Sequence, residues 1–445
     1  MSKIKKLPIG HYLMASESIS KSHPDKQADF ISDSLIDNFI AYDKNSHCAI
    51  EVMCTTGQVI VAGEVKSNTY VPVEEVVRVA INKLGYTKAE YQFTGDSCGI
   101  LSAIHEQSAD IDMGVTKENP EDMGAGDNGI YFGYACEGLS NYMPPLIDIA
   151  RRIMMQLAEE REDYEDVLNG GDPDLGRHYI PYLRPDGKCI VTGEFDENDY
   201  LVRITDIVIC QQHDEFDEDD EVMQNKIKED ILNIVLPKVI SHYDASFQKK
   251  FGNIKDEVKL YVNPTTRFVS GGCAFDCGVT GRKLVCDLYG GAIGSQIAGG
   301  SLSAKCYTKT DRSMNYFTRY VAKNLVAAGV AERCLVQSAS AIGMAEPISI
   351  TVNTYGTAKH GLTDTMISEK IAELFDWRPY GVIKTLKLDN PIYAEAAQWG
   401  QVGHEPRIVT KHFHNRYEGD KDVEVELFTW EKLDAVDKIK ETFNL

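Results

Sequence analysis

Apolar residues recur along this chain in two rhythms. Over 25–41, Ala28, Ile31, Leu35 and Phe39 fall on one helical stripe, with Asp and Ser between them. Val73, Val76, Val77, Ala80, Ile81 and Leu84 do the same over 73–84, and Gly85 supplies a left-handed stop. The same spacing predicts helices over 145–160, 221–242, 313–328, 364–376 and 430–443. Strand-like runs lie between them. CAIEVM and QVIVAGEV around Thr55-Thr56-Gly57 read as a hairpin, and KCIVTGEF, LVRITDIVIC, VKLYVNP, RKLVCDLYG and ISITVNTYG as further strands. Strands cluster before helices instead of alternating with them singly. That predicts an α+β fold, with helices packed on mixed or antiparallel sheets.

The chain has 445 residues, 43% hydrophobic and 26% charged, enough for several domains with sizeable cores. Polar, Gly/Pro-rich breaks fall at 111–128 and 263–278, and three units of similar size fit between them. No apolar run approaches the roughly 18 residues of a membrane helix, and the N-terminus lacks a secretion signal's apolar stretch. A cytoplasmic protein with no membrane association is expected. Eleven scattered cysteines then read as free thiols, and Cys273 with Cys277 lacks a second pair at zinc spacing. A net charge of −22 argues against nucleic acid as a partner. The dense acids of 213–222 (HDEFDEDDEV) read as a solvated loop. Residues 279–325 reverse the balance: Arg282, Lys283, Lys305, Lys309, Arg312, Arg319 and Lys323 against Asp287 and Asp311. Such a basic island in an acidic chain points to an anionic ligand.

Gly124-Ala125-Gly126-Asp127-Asn128-Gly129 fits GxGxxG, but a strand-like IYFGYA follows it where a dinucleotide site needs a helix. No GxxxxGK[ST] occurs. His23-Pro24-Asp25-Lys26 opens the first helix, where the macrodipole favours an acid and a phosphate alike. From Asp276 to Arg312, two Gly-rich loops carry Arg282, Lys283, Lys305, Lys309 and Arg312. Glycines let a backbone approach a ligand, the cations supply charge, and Asp311 can hold a metal; together they point to polyphosphate.

The stretches SESISKSHPDKQADFISD, TTGQVIVAGEV, SCGILSAIHEQSADI, GAGDNG, YLRPDGK, NPTTRFVSGG, DCGVTGRK, TKTDRS, YVAKNLVAAGVAERCLVQ and RPYG, in this order, resemble the methionine adenosyltransferase (S-adenosylmethionine synthetase) family. The resemblance runs from about Ser16 to the C-terminus. It implies three related α/β domains, over 13–110, 123–270 and 271–445. It implies synthesis of S-adenosylmethionine from ATP and L-methionine, with the released triphosphate hydrolysed to diphosphate and phosphate. His23, Lys188, Arg282, Lys305 and Lys309 take catalytic roles by this resemblance. Asp186, Arg267, Phe268, Asp276, Lys283 and Ser301 join His23, Lys188, Arg282 and Lys305 on ATP. Glu64, Gln107, Asp276 and Lys309 bind methionine. Asp25 and Asp311 hold two magnesium ions, and Glu51 lies near potassium. Residues from about 107 to 120 match a gating loop, and the family's sites form between subunits of a homodimer or dimer of dimers.

The chain departs from the family pattern at Ser22 and Phe275, where glycine is usual, and in the loop Ile297–Tyr307. There Ala298 and Ala304 replace glycines and Cys306 an aspartate. These changes predict strain at both alanines, a Lys305 released from a neighbouring charge, and slower turnover. A weakened paralogue that binds ATP or partners with an active subunit is the competing reading. The many charged residues retained favour an active synthetase.

Overall fold

The computed structural model describes residues 7–107, 119–170 and 179–445. They form two compact units, each assembled from separated segments.

One unit takes the chain up to His23, Pro145–Gly272 and Gly290–Ile293. Its sheet runs in the order Tyr12–Ile19, Leu183–Phe195, Leu201–His213, Lys259–Val262, antiparallel except for the last pair. Helix Pro145–Leu168 lies on it, burying Leu146, Ile147, Ala150, Ile153, Met154 and Leu157. A β-carbon on Gly187 would stand 2.7 Å from Met154 Cε, and one on Gly193 2.9 Å from Leu146 Cδ2. The glycines thus let the layers close. The helix outruns the apolar stripe, and the buried Arg161 bridges Glu165 one turn on. The expected 221–242 helix is Asp220–Asp230 and Leu236–Ser241, joined by a π-turn over Ile231–Val235. Pro237, which has no N–H for the α-helical bond, is the second residue after the π-turn.

The other unit holds Pro24–Pro144, Cys273–Tyr289 and Gly294–Leu445. One sheet is ordered Gly99–Glu106, Gln58–Lys66, His47–Thr55, Gly278–Val279, with its first pair parallel. A second is ordered Ser349–Asn353, Arg333–Ser340, Gly129–Cys136, and Arg407–Phe413 pairs with Lys421–Leu427 as a ribbon. The expected hairpin forms, with Thr55 opposite Gln58 and Gly57 at a φ of 66°. Helix Thr310–Ala327 is buried on nearly every side. A β-carbon on Gly133 would stand 2.0 Å from the Thr318 carbonyl carbon, so this glycine seats the helix on its sheet.

Two sequence expectations need correction here. RKLVCDLYG is not a strand: Leu284–Asp287 is a helical turn, closed by Asp287 N–H to Lys283 O at 2.9 Å and Leu288 N–H to Leu284 O at 3.1 Å. Cys286, Asp287, Leu288 and Tyr289 are all buried, which an edge strand with one wet face would not achieve. The 430–443 helix begins only at Val436, because the core holds the residues before it. Trp430 stacks on Tyr316 with centroids 3.6 Å apart, and Glu431 pairs with Arg319.

The polar stripe of the first helix, Pro24–Tyr42, is not a wet face. Asp25, Asp29, Asp33 and Asp37 recur once per turn and are 2%, 0%, 0% and 1% exposed. Each accepts a backbone N–H from another segment: Val279 at 2.9 Å, Gly281 at 2.8 Å, Ala304 at 3.2 Å, and Ala394 at 2.9 Å. Each also meets a cation: Lys283, Lys26, Arg312 and Lys411 in turn. A buried carboxylate needs both kinds of partner.

Candidate active site

Strand register sets the first row of side chains. Ala49 pairs with Glu64 on one side and bridges Lys305 on the other, so the three project from one face. Glu51 stands two residues along, on the same face, while Cys48, Ile50, Val52 and Cys54 are buried on the opposite one. Lys309 Nζ lies 3.5 Å from Glu64 Oε1, and Thr280 Oγ1 donates to Glu51. Gln107 follows the Gly99–Glu106 strand, two residues past His105, the partner of Glu64. Its Oε1 is buried without a hydrogen-bond partner among the described residues. Residues 108–118 of the expected gating loop lie outside the described residues.

The first helix's N-terminus faces the segment that carries Arg282 and Lys283. A β-carbon on Gly278 would stand 2.0 Å from Pro24 O, so only glycine allows this approach. Asp25 accepts from Lys283 Nζ, with Arg282 Nε at 3.4 Å. Gly281, at a φ of 73°, turns its N–H to Asp29. Its absent side chain leaves room for Ser301, whose Cβ would be 2.6 Å from a β-carbon there. Asp276 is exposed and accepts from Cys277 N–H at 2.8 Å; among the described residues nothing joins it to Lys309.

Beyond Ser301 the chain returns along the Glu51 strand. Ala304 O accepts from Ile50 N–H at 2.8 Å and Cys306 N–H donates to Cys48 O at 3.1 Å. Lys305 Nζ then reaches Asp311 Oδ2 at 2.6 Å, at the start of helix Thr310–Ala327. A β-carbon on Gly300 would stand 2.4 Å from the Asp311 carboxylate. Two expectations about this loop change. Ala304 does carry a φ of 76°, but Ala298 is not among the positive-φ residues. Cys306 points into the core, accepting from Cys48 N–H at 3.1 Å, so its chemistry does not reach the Lys305 ammonium. The other departures are also accommodated: Ser22 is buried with its N–H on Ser20 Oγ at 3.0 Å, and Phe275 is 56% exposed.

His23, Asp186, Lys188, Arg267 and Phe268 belong to the first-described unit. Ser20 donates to Gly187 O at 2.9 Å and, through Oγ, to Pro185 O at 2.6 Å. This pins the turn that ends at His23 beside Asp186 and Lys188. Asp186 Oδ2 accepts from Gly272 N–H at 2.9 Å, and Lys188 Nζ is 2.7 Å from Glu17. Arg267 pairs with Glu215 at 2.8 Å and Asp220 at 3.2 Å, so the acidic run has a structural partner. Phe268 is held from both sides of its peptide. Its N–H donates to His213 Nε2 at 3.1 Å, and its carbonyl accepts from His213 N–H at 3.0 Å. The ring is therefore a neutral acceptor at Nε2, with its proton on Nδ1 toward Asp214 O at 2.8 Å. Burial lowers the His213 pKa below its usual value, against the opposing Asp214 bond.

Sequence reasoning gave no role to Asp29, Asp33, Thr280 or His213, which hold the backbone of the candidate site's segments. The signal present was the four-residue spacing of Asp25, Asp29, Asp33 and Asp37. The candidate metal ligands are hard oxygens beside lysines, and among the described residues no three acidic, His or Cys side chains converge as a cage. That donor set fits magnesium, which keeps waters and takes one or two carboxylates together with phosphate oxygens. Glu51 and Thr280 are likewise oxygen donors of the kind an alkali cation takes.

Three family models match the chain: the S-adenosylmethionine synthetase N-terminal domain over 11–109, the central domain over 122–268 and the C-terminal domain over 270–412. A protein of Christiangramia forsetii named S-adenosylmethionine synthase is 50% identical over 434 residues, covering 98% of this chain and 99% of its own. Like-named proteins of Parabacteroides distasonis and Flavobacterium johnsoniae are each 49% identical, covering 98% of this chain and 100% of theirs.

Proposed function

The chain belongs to the S-adenosylmethionine synthetase family, and from that premise we propose how its residues make S-adenosylmethionine from ATP and L-methionine. The methionine sulfur attacks C5′ of ATP. An S–C bond forms, the C5′–O bond breaks, and its electron pair leaves with the triphosphate. The thioether is neutral and already nucleophilic, so no residue acts as its base. The leaving group carries the difficulty, and cations supply what it needs. Lys188, Arg282, Lys283 and Lys305 take the phosphates, with His23 near the departing oxygen. Asp186, Arg267, Phe268, Asp276 and Ser301 complete the ATP contacts. Glu64, Gln107, Asp276 and Lys309 hold methionine in line, which contributes the entropic part of the acceleration. Water then hydrolyses the bound triphosphate to diphosphate and phosphate.

Asp25 and Asp311 would hold two magnesium ions and Glu51 a potassium ion, which neutralise charge on the phosphates when bound. Lys283 and Lys305 pair with these two aspartates. The observation that carries this reading is the set of lysine–carboxylate pairs Lys283–Asp25, Lys305–Asp311 and Lys309–Glu64, each ready to exchange partners for phosphate, metal or substrate. A homodimer or dimer of dimers is supported by Ile130, Ile342, Met344 and Ile348. These apolar side chains are 46–62% exposed around one end of the three-stranded sheet. No helix among the described residues is long and apolar enough to cross a membrane, and the eleven cysteines are free, which supports a reducing, cytoplasmic setting.

Purified protein with ATP, methionine, magnesium and potassium is expected to yield S-adenosylmethionine, phosphate and diphosphate by mass spectrometry. Absence of the sulfonium product under these conditions overturns the reading. Light scattering over a dilution series is expected to report at least a dimer.

A further inference from the structure

The strap that carries Lys305 is gripped from behind by a buried ion pair: Arg312, expected from the sequence among the phosphate-facing cations, is turned into the core against Asp33. Arg312 and Asp33 have side chains 0% exposed and meet as a fork, Nη1 to Oδ1 at 2.8 Å and Nη2 to Oδ2 at 2.6 Å. The pair does not face only itself. Arg312 Nη1 also donates to Lys305 O at 2.9 Å, and Asp33 Oδ1 accepts from Ala304 N–H at 3.2 Å. Gln401 extends the grip, accepting from Arg312 Nη2 at 3.4 Å and donating to Ser303 Oγ at 2.9 Å. Arg312 Nε reaches Tyr316 at 3.0 Å, and its guanidinium lies 4.3 Å from the centre of the Tyr393 ring.

A guanidinium has five N–H groups in a fixed plane, and each here has an acceptor. A lysine could not reproduce that, since its ammonium is a point charge without the fork. The opposite edge of the strap is tied to the Glu51 strand through Ala304 O and Cys306 N–H. The backbone at 303–306 therefore has little freedom, and the positive φ of Ala304 is held in place. Arg312 also follows Asp311 directly, so one residue links the Lys305 strap to the helix turn that presents its partner carboxylate.

We propose that Asp33 and Arg312 are positioning residues that act through Lys305, setting where its ammonium meets the triphosphate chain; this rests on the phosphate-binding reading of Lys305. Binding of inorganic triphosphate with magnesium, measured by calorimetry on the full chain, tests it. Lys305→Met is expected to weaken binding by about 10-fold, as for loss of one charge-assisted contact. Arg312→Lys, which keeps the charge but not the fork, is expected to weaken it by a similar factor. The double variant is expected to bind no worse than Lys305→Met alone, because both act on one contact. Asp33→Asn is the second route if Arg312→Lys fails to fold, since an amide oxygen still accepts from Ala304. It is expected to show the same non-additivity, with the loss falling on kcat rather than on KM for methionine. Multiplying losses in the double variant, or wild-type binding by folded Arg312→Lys and Asp33→Asn, overturns the positioning role. Unchanged binding by Lys305→Met instead overturns the reading of Lys305 beneath it.

Discussion

Arg319 and Glu431 face each other with neither side chain exposed, Nη2 3.0 Å from Oε2, and Lys323 Nζ closes on the same carboxylate at 2.8 Å. Glu431 Oε1 accepts as well from Arg319 Nε at 3.1 Å and from Gly403 N–H at 2.5 Å. Burial alone would raise the Glu431 pKa, but the two cations and these bonds bring it down to about 2.

That depression makes stability acid-sensitive. A carboxylate with a lower pKa folded than unfolded stabilises above the unfolded value, near 4.5, and the stabilisation is lost as pH falls from there toward 2. The loss expected across that window is on the order of 3 kcal/mol. Glu431→Gln leaves two buried cations without a counter-charge and is expected to cost about 3–5 kcal/mol at neutral pH. Denaturant unfolding from pH 7 to 3 checks both, since the variant should show the shallower acid dependence. A variant as stable as the parent at pH 7 contradicts the assignment.

Gly278→Ala is expected to destabilise by about 1–3 kcal/mol, the cost of forcing a methyl into a packed backbone contact. The new carbon would meet Pro24 O at 2.0 Å, and neither backbone can swing away as a side chain could. Because Val279 N–H is a donor to Asp25, the shift should also weaken magnesium binding. Thermal melts and metal titration monitored by calorimetry test the two effects separately.

The two alanines of the altered loop are expected to respond differently to glycine. Ala304→Gly removes a left-handed strain of about 1–2 kcal/mol but returns freedom to the unfolded chain, for a net change from nil to about 1 kcal/mol stabilising. Ala298 has no positive φ, so Ala298→Gly should destabilise by about 0.5–1 kcal/mol. Cys306→Asp is expected to be worse than either, because it puts a carboxylate beside Cys48 in a fully buried position. Melting temperatures of the three single variants decide the order. Faster turnover of Cys306→Asp would show that the loop has been read wrongly.

Product formation is expected to stop in excess chelator, return with magnesium and rise further with potassium. Asp25→Asn and Asp311→Asn should each raise the magnesium concentration needed for half-maximal rate by about 10-fold or more, since each would remove a charged ligand of the proposed metal site. Wild-type magnesium dependence in both variants contradicts their role.

The sequence by itself determined the local elements wherever one face is wet. The helix at 73–83, the hairpin at Thr56-Gly57 and the sheets of 183–213 follow from spacing and turn chemistry, because solvent on one side leaves a periodic signal. It also carried, in ordered motifs, the family and the charged residues proposed to meet a phosphate ligand. It could not decide which distant segments pair. None of the three larger sheets is one continuous stretch: Tyr12–Ile19 joins strands near 190, Gly278–Val279 joins those near 50, and Gly129–Cys136 joins those near 340. Nor could periodicity say that the aspartates of the first helix are buried. A carboxylate facing water and one facing Arg312 leave the same letter in the chain. Only the tertiary structure brings the N–H and the cation that make its burial tolerable.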